Sequence, residues 1–159
     1  MVCQFGATNS DDLVEAAGHV VKVCDGIDIN SGCPQKWAIK EGFGCALLDN
    51  PELLRDMVVR LKNAYPIGHL EHEVTISVKI RIFSDLKRTI AFTEQMARTG
   101  IDFMTVHART VNERSGDRPH YDTTKAINDL ALRPAQVPMV FNGAILTMDE
   151  ASNVAKYVL

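Results

Sequence analysis

Five short β-prone runs, each followed by a longer helical stretch, are the feature that most restricts how this chain can fold. The runs are Val2–Gly6, Gly26–Asn30, Val74–Ile82, Phe103–His107 and Val137–Asn142. In the third, Val74, Ile76, Val78, Ile80 and Ile82 alternate with Thr75, Ser77, Lys79 and Arg81, the two-residue period of a strand. The stretches between them carry helical signals. Asn9-Ser10-Asp11 offers capping chemistry ahead of a stripe made by Leu13, Ala16, Ala17, Val20 and Val21, and Asn50-Pro51 opens a second helix whose buried face is Leu53, Leu54, Met57, Val58 and Leu61. A helix from about Asp85 to Arg98 stops at Gly100, a short one precedes the fifth run, and the last begins at Thr147 or Asp149. Strands and helices alternating at these spacings predict parallel strands joined by right-handed crossovers, an α/β fold. Both an open doubly wound sheet and part of a (β/α)8 barrel satisfy the pattern.

The polar residues bear on that choice. Gln4, Asn30, Lys79 with Arg81, His107 with Arg109, and Asn142 beside Gly143 all fall at or just beyond the C-terminal end of a predicted strand. In parallel α/β folds that edge is where active sites form. Each residue also has a plainer reading: Lys79 and Arg81 as rim charges, His107 as a satisfied structural histidine, Asn142-Gly143 as a turn dipeptide. In a barrel the polar face of the third strand is the interior, where a lone lysine is costly unless an anion or a polarised ring accompanies it.

Cys33 stands out among the four cysteines. It follows a strand, with Gly32 before it and Pro34 after it, a setting that exposes a thiol in a defined direction. Such a thiol serves as a nucleophile or as a proton donor, whereas most cysteines of this kind are buried and inert. Cys3, Cys24 and Cys45 lie in packing contexts and read as structural. No pair has the C-x-x-C spacing of a zinc or redox site, and no run is long and apolar enough for a membrane span, which together predict reduced thiols, no metal and a cytoplasmic or nuclear location. His69, Glu71, His72 and Glu73 cluster without a further ligand at a recognised spacing and read as a solvated loop. The net charge of -3 carries no global signal for nucleic acid, so any RNA contact needs a local basic patch or a further domain.

These residues carry a resemblance. Val2–Gly6, the long run from Asp25 to Leu48 around Asn-Ser-Gly-Cys-Pro, Ser77–Ile82, Val106–Thr110 and Val140–Ile145 together resemble the tRNA-dihydrouridine synthase family, over essentially the whole chain. The Gln35-Lys36-Trp37 run and Lys79–Thr89 look most like its eukaryotic 4-like branch, associated with positions 20a and 20b of the tRNA D-loop. The resemblance implies a partial TIM (β/α)8 barrel, roughly strands 3 to 7 with their helices. It implies FMN, reduced by NADPH, as the cofactor that reduces the 5,6 double bond of a tRNA uridine. Cys33 matches the general acid; Gln4, Lys79, His107, Asn142 and Gly143 match cofactor-binding positions; Asn30, Arg81 and Arg109 match substrate-side positions. A flavin doing the redox chemistry leaves the protein to orient and polarise, and a target base in tRNA must leave its stack to reach such a mouth.

Three departures accompany the match. Residues 1–159 correspond to part of the catalytic barrel, without the opening strands, a following Gly-Arg-Gly phosphate loop or the C-terminal helical tRNA-binding domain. The family's Asn-Gly-Asp is Asn142-Gly143-Ala144, and its His-Gly-Arg-Thr is His107-Ala108-Arg109-Thr110. A chain of this extent is expected to bind FMN weakly on its own. The alternatives are an inactive or interaction module of the same family, and another FMN-dependent barrel reductase acting on a small molecule.

Overall fold

The computed structural model describes residues 1–68 and 72–159. Its frame is one parallel sheet in sequence order: β1 (Val2–Phe5), β2 (Gly26–Ser31), β3 (Thr75–Ile82), β4 (Phe103–Thr110) and β5 (Met139–Asn142). Sequential order with a helix after every strand is the arrangement of a (β/α) barrel, not of a doubly wound sheet, whose strand order reverses at a switch point. β1 and β5 form the two edges, each paired on one side among the described residues.

The helices are α1 (Ser10–Gly18), α2 (Lys36–Glu41), α3 (Pro51–Ala64), α4 (Leu86–Ala97), α5 (Tyr121–Ile127) and α6 (Met148–Val158). Their starts follow the expected chemistry. The side chains of Asn9, Asn50 and Asp85 accept main-chain N–H donors from Asp12, Leu53 and Arg88, and Thr147 forms a reciprocal capping box with Glu150. Pleat alternation sends Ile27, Ile29, Ile76, Val78, Ile80, Met104 and Val106 to the helix side, where they pack with Leu13, Leu54, Met57, Leu61 and Met96 as one core. The opposite face of the sheet is concave and polar, and it carries the candidate site.

Four local features differ from the expectation. α2 and the 3-10 helix Gly44–Asp49 occupy what reads in sequence as a glycine-containing connection. α2 has six residues and no side-chain cap, too short to show a 3.6-residue period. β4 runs three residues past His107 to Thr110, through a register shift opposite Arg81 and Ile82, and this places Arg109 within the strand. β5 begins at Met139 because Val137 still donates to Leu132, closing the preceding π-helical turn Asn128–Leu132. Leu53 is only partly buried, at the margin of the α3 face. Of the polar cluster between α3 and β3, His69 and Glu71 lie outside the described residues, and His72 Nε2 sits 2.9 Å from the Cys24 carbonyl. Among the described residues no helix is long and apolar enough to cross a membrane, and no cluster of His, Cys, Asp and Glu has the form of a metal site.

Just past β5, Ala144 sits at φ 48, in the left-handed region that penalises a Cβ. Ala144→Gly is therefore expected to stabilise the protein by about 0.5–1 kcal/mol, seen as a higher urea midpoint with an unchanged m-value. A lower midpoint would show that the strain is offset by packing of the methyl group.

Candidate active site

Strand register sorts the inward side chains into layers. Gln4, Asp28 and Ser77 lie abreast on β1, β2 and β3; Asn30, Lys79 and Thr105 follow on β2, β3 and β4; Arg81, His107 and Asn142 come last, at the C-terminal rim. The structure thus brings the sequence-selected polar residues of the strands to one concave face. Asp28 joins them. A lone carboxylate between Ile27 and Ile29 was the available signal for it, since a period of two puts Asp28 on the same face as Asn30.

Asp28 is buried, with 6% of its surface exposed, and both carboxyl oxygens are used. Gln4 Nε2 donates to Oδ2 at 2.6 Å and Ser77 Oγ donates to Oδ1 at 2.7 Å. With its amide nitrogen committed to Asp28, Gln4 turns its Oε1 toward Asn30, whose Nδ2 donates to it at 3.0 Å. Asn30 Oδ1 then accepts the main-chain N–H of Gly32 at 3.0 Å and of Cys33 at 2.9 Å. Two main-chain donors can meet only the oxygen end of the amide, so the orientation of Asn30 is set from both sides. From the Cys33 loop each donor points inward, through Asn30 and Gln4 to Asp28, and Ser77 donates to the same carboxylate from the other side.

Cys33 is held from its other side as well. Its carbonyl accepts the Cys45 N–H at 2.9 Å. Gly44 has φ 63, and a Cβ there would lie 2.8 Å from both the Cys33 Cβ and the Cys33 carbonyl oxygen. The thiol is half-buried at the mouth. Cys45 lies behind it, and burial first of all pushes its thiol up to about 11, leaving it protonated and inert. Cys24 is buried and Cys3 half-buried on the core side.

The cations divide into two kinds. Arg81 and Arg109 are 7% and 4% exposed and act as braces. Arg81 Nε donates to the Gly32 carbonyl at 3.1 Å, and its Nη1 donates to the carbonyls of Thr110 at 2.7 Å and Glu113 at 3.1 Å. One guanidinium thereby ties the Cys33 loop to the loop after β4. Arg109 donates to the carbonyls of Asp117 at 2.7 Å and Ser115 at 3.0 Å, with Nη1 lying 3.1 Å from His107 Nε2. Lys79 is different. Burial, then repulsion by Arg81, lowers its pKa, with partial relief from Asp28, and no hydrogen bond contributes to its charge state. A half-buried ammonium without a bonded partner among the described residues, facing a mouth lined by amides, suits a ligand that is flat, hydrogen-bonding and able to hold negative charge.

His107 shares this field. Burial, followed by Arg81, Lys79 and Arg109, lowers its pKa to about 4, so the ring is neutral near pH 7 and presents an acceptor to Arg109. Asn142 is exposed at the rim, and Gly143, buried at φ 147, packs beside the His107 ring and Pro119. The loop after β4 is closed by Glu113. Burial opposes the charge of this carboxylate, yet the His120 ring at 2.6 Å and the Thr110 N–H at 2.5 Å overcome that and hold its pKa at about 2.

The fold is shared with solved enzymes of very different sequence. The DHODH of Eimeria tenella in complex with ferulenol superposes with a TM-score of 0.66 over 93% of this chain and 47% of its own, at 14% identity. The N-acetylneuraminate lyase of Mycoplasma synoviae gives a TM-score of 0.62 over 98% of this chain and 50% of its own, also at 14% identity. The chain is thus part of a TIM-type (β/α) barrel. Its family is more specific: the model described as Dihydrouridine synthase (Dus) matches residues 1–158, and the chain belongs to that family. The NAD(P)+ tRNA-dihydrouridine(20a/20b) synthase-like protein of Homo sapiens is 40% identical over 97% of this chain and 46% of its own length. The NAD(P)+ tRNA-dihydrouridine(20a/20b) synthase of Schizosaccharomyces pombe is 37% identical over 99% of this chain and 45% of its own. The chain spans about half the length of the curated relatives it matches.

The site sets the acid stability. The unfolded chain protonates His107 near its ordinary value of 6.5 while the folded chain resists to about 4, so this contribution is complete above pH 6.5 and is lost as pH falls from 6.5 to about 4. Glu113 adds a second loss as pH falls from 4.5 to about 2. Urea midpoints between pH 7.5 and 3 are expected to decline through the first window, and His107→Gln is expected to flatten it; the same slope in the variant would remove His107 as the cause. Gly44→Ala should cost about 2–3 kcal/mol through its contact with Cys33, read as a lower urea midpoint at pH 7.

Proposed function

We propose that this chain is the catalytic face of a tRNA-dihydrouridine synthase, which reduces a D-loop uridine to 5,6-dihydrouridine with FMN and NADPH, and that Cys33 is its general acid. The observation that carries the reading is the series Ser77–Asp28–Gln4–Asn30, which ends on the main-chain N–H of Cys33 and fixes the loop that bears a half-buried thiol. Family membership and the names of the relatives support the substrate and the reductant.

When bound, FMN supplies the hydride that uracil receives at C6. The residues of this chain do the rest. As C6 gains hydride, the electron pair of the 5,6 bond moves toward C5 and the adjacent carbonyl, and the Cys33 S–H bond breaks to give C5 its proton. The resulting thiolate regains a proton from solvent. Proton delivery of this kind needs no activating base, which agrees with a neutral His107 braced by Arg109 and committed elsewhere. Lys79 would lie against the electron-rich edge of the isoalloxazine ring, with Gln4 and His107 as further ring contacts. Asn142 and Gly143 would approach the phosphate. Asn30 keeps its second amide proton for the base. Arg81 and Arg109 act chiefly by holding the two loops that frame the mouth, with Arg81 Nη2 the guanidinium nitrogen left for substrate.

In the intact enzyme, Cys33→Ala is expected to lower the rate of dihydrouridine formation by about 10²–10⁴-fold while flavin reduction by NADPH stays close to normal. Measuring the two half-reactions separately checks this. An undiminished uridine step would take the proton-donor role away from Cys33; loss of flavin reduction would point to a collapsed site.

A further inference from the structure

Trp37 is the chain's one tryptophan, and 62% of its surface is exposed. An indole is among the largest apolar surfaces a protein can present, and leaving it in water forfeits the burial that Trp usually gains. The ring meets Phe43 edge-to-face at 5.5 Å and 71°. Phe43 is itself pressed against Gly6, where an added Cβ would come within 2.8 Å of the Phe43 ring. α2 is stopped by Gly42 at φ 95, whose N–H bonds back to the carbonyls of Ala38 and Ile39. The indole is therefore held in place while most of it stays uncovered.

Its position and charge say what it faces. Trp37 lies four residues after Cys33, in the first turn of α2, which follows the loop pinned to Asn30 and Arg81. Lys36 and Lys40 flank it on α2, both exposed. In the two rim segments 31–43 and 109–120, five cations (Lys36, Lys40, Arg109, Arg114 and Arg118) stand against three carboxylates, although the whole chain carries a net charge of -3. These two segments are net positive in a chain that is net negative, and Lys36 and Lys40 are the exposed cations on the same short helix as the indole. A fixed, uncovered aromatic ring among cations is the surface that single-stranded nucleic acid selects, because bases stack on the ring while phosphates meet the lysines.

We propose that Trp37 is a stacking platform for a nucleobase of the RNA strand that carries the target uridine. The platform keeps the strand open at the mouth while the neighbouring base enters toward Cys33. The proposal rests on the tRNA reading above and adds a residue that selects single-stranded over paired RNA.

The lone tryptophan is its own reporter. Titrating the chain with an unmodified tRNA transcript and with single-stranded oligouridylate is expected to quench Trp37 fluorescence saturably, whereas an RNA duplex of equal length leaves it nearly unchanged. By anisotropy of labelled oligouridylate, Trp37→Ala is expected to weaken binding by about tenfold, and Trp37→Phe by less than about threefold, in line with base–aromatic stacking. Unchanged circular dichroism and thermal midpoints would show that the exposed substitution leaves the fold intact. Binding without quenching, equal affinity in Trp37→Ala, or equal response to duplex overturns the platform while leaving the tRNA reading in place. Quenching that depends on protein concentration without RNA would instead assign Trp37 to a contact between copies, and overturns it too. Absence of any RNA binding by the unaltered chain overturns the platform and weakens the tRNA reading together. A confirmed platform in an intact enzyme that forms no dihydrouridine would remove only the catalytic reading.

Discussion

The grip of the Asn30 side-chain oxygen on the N–H groups of Gly32 and Cys33 is the interaction on which the rest of this site depends. The end of a parallel strand leaves main-chain donors unpaired, and a loop there is free to move unless something satisfies them. Asn30 does so from within the same strand. Its own amide is oriented by Gln4, and Gln4 by a buried carboxylate that Ser77 also donates to. Each link is an ordinary hydrogen bond of roughly 1 kcal/mol net worth. Their consequence is geometric: a series with every donor and acceptor specified has one arrangement, so the main chain that carries the Cys33 thiol is fixed in place.

Electrostatics complete the arrangement in a second way. Lys79, Arg81 and Arg109 are gathered on a concave face that holds one buried carboxylate, Asp28. Such a concentration is tolerable because the two arginines are matched to main-chain carbonyls of adjoining loops, which carry partial negative charge without another side chain. The braces therefore shape the mouth and keep it positive. Lys79 is the one of the three without a hydrogen-bonded partner among the described residues, and burial together with the same field keeps His107 neutral. A neutral imidazole, a protonated buried Cys45 and a braced pair of arginines surround Cys33, whose thiol is half-buried on this face.

Much of the fold was legible because its signals are local. Alternation along Val74–Ile82, the caps at Asn9, Asn50, Asp85 and Thr147, and the glycine stop at Gly100 act over one to four residues and need no tertiary partner. The α2 segment was not legible, since six residues between glycines and a proline give no period; in the fold Trp37 packs on Phe43, which lies against Gly6. The extension of β4 to Thr110 was hidden as well. It depends on Arg81 bonding the Thr110 carbonyl from a residue 29 positions away.

The sequence by itself determined that strands and helices alternate, that polar groups gather at the C-terminal strand ends, and that Cys33 follows a strand between Gly32 and Pro34. Those facts follow from spacing and residue type along the chain. Only the tertiary structure decided that Asp28 joins the polar face, that Arg81 and Arg109 are braces whereas Lys79 has no bonded partner among the described residues, and that Trp37 stands uncovered against Phe43. The reason is distance along the chain. Gln4 reaches Asp28 across 24 residues, Asn30 reaches Gln4 across 26, and Ser77 and Arg81 reach Asp28 and Gly32 across 49. No local pattern encodes which side chains meet over such separations; the register of parallel strands does.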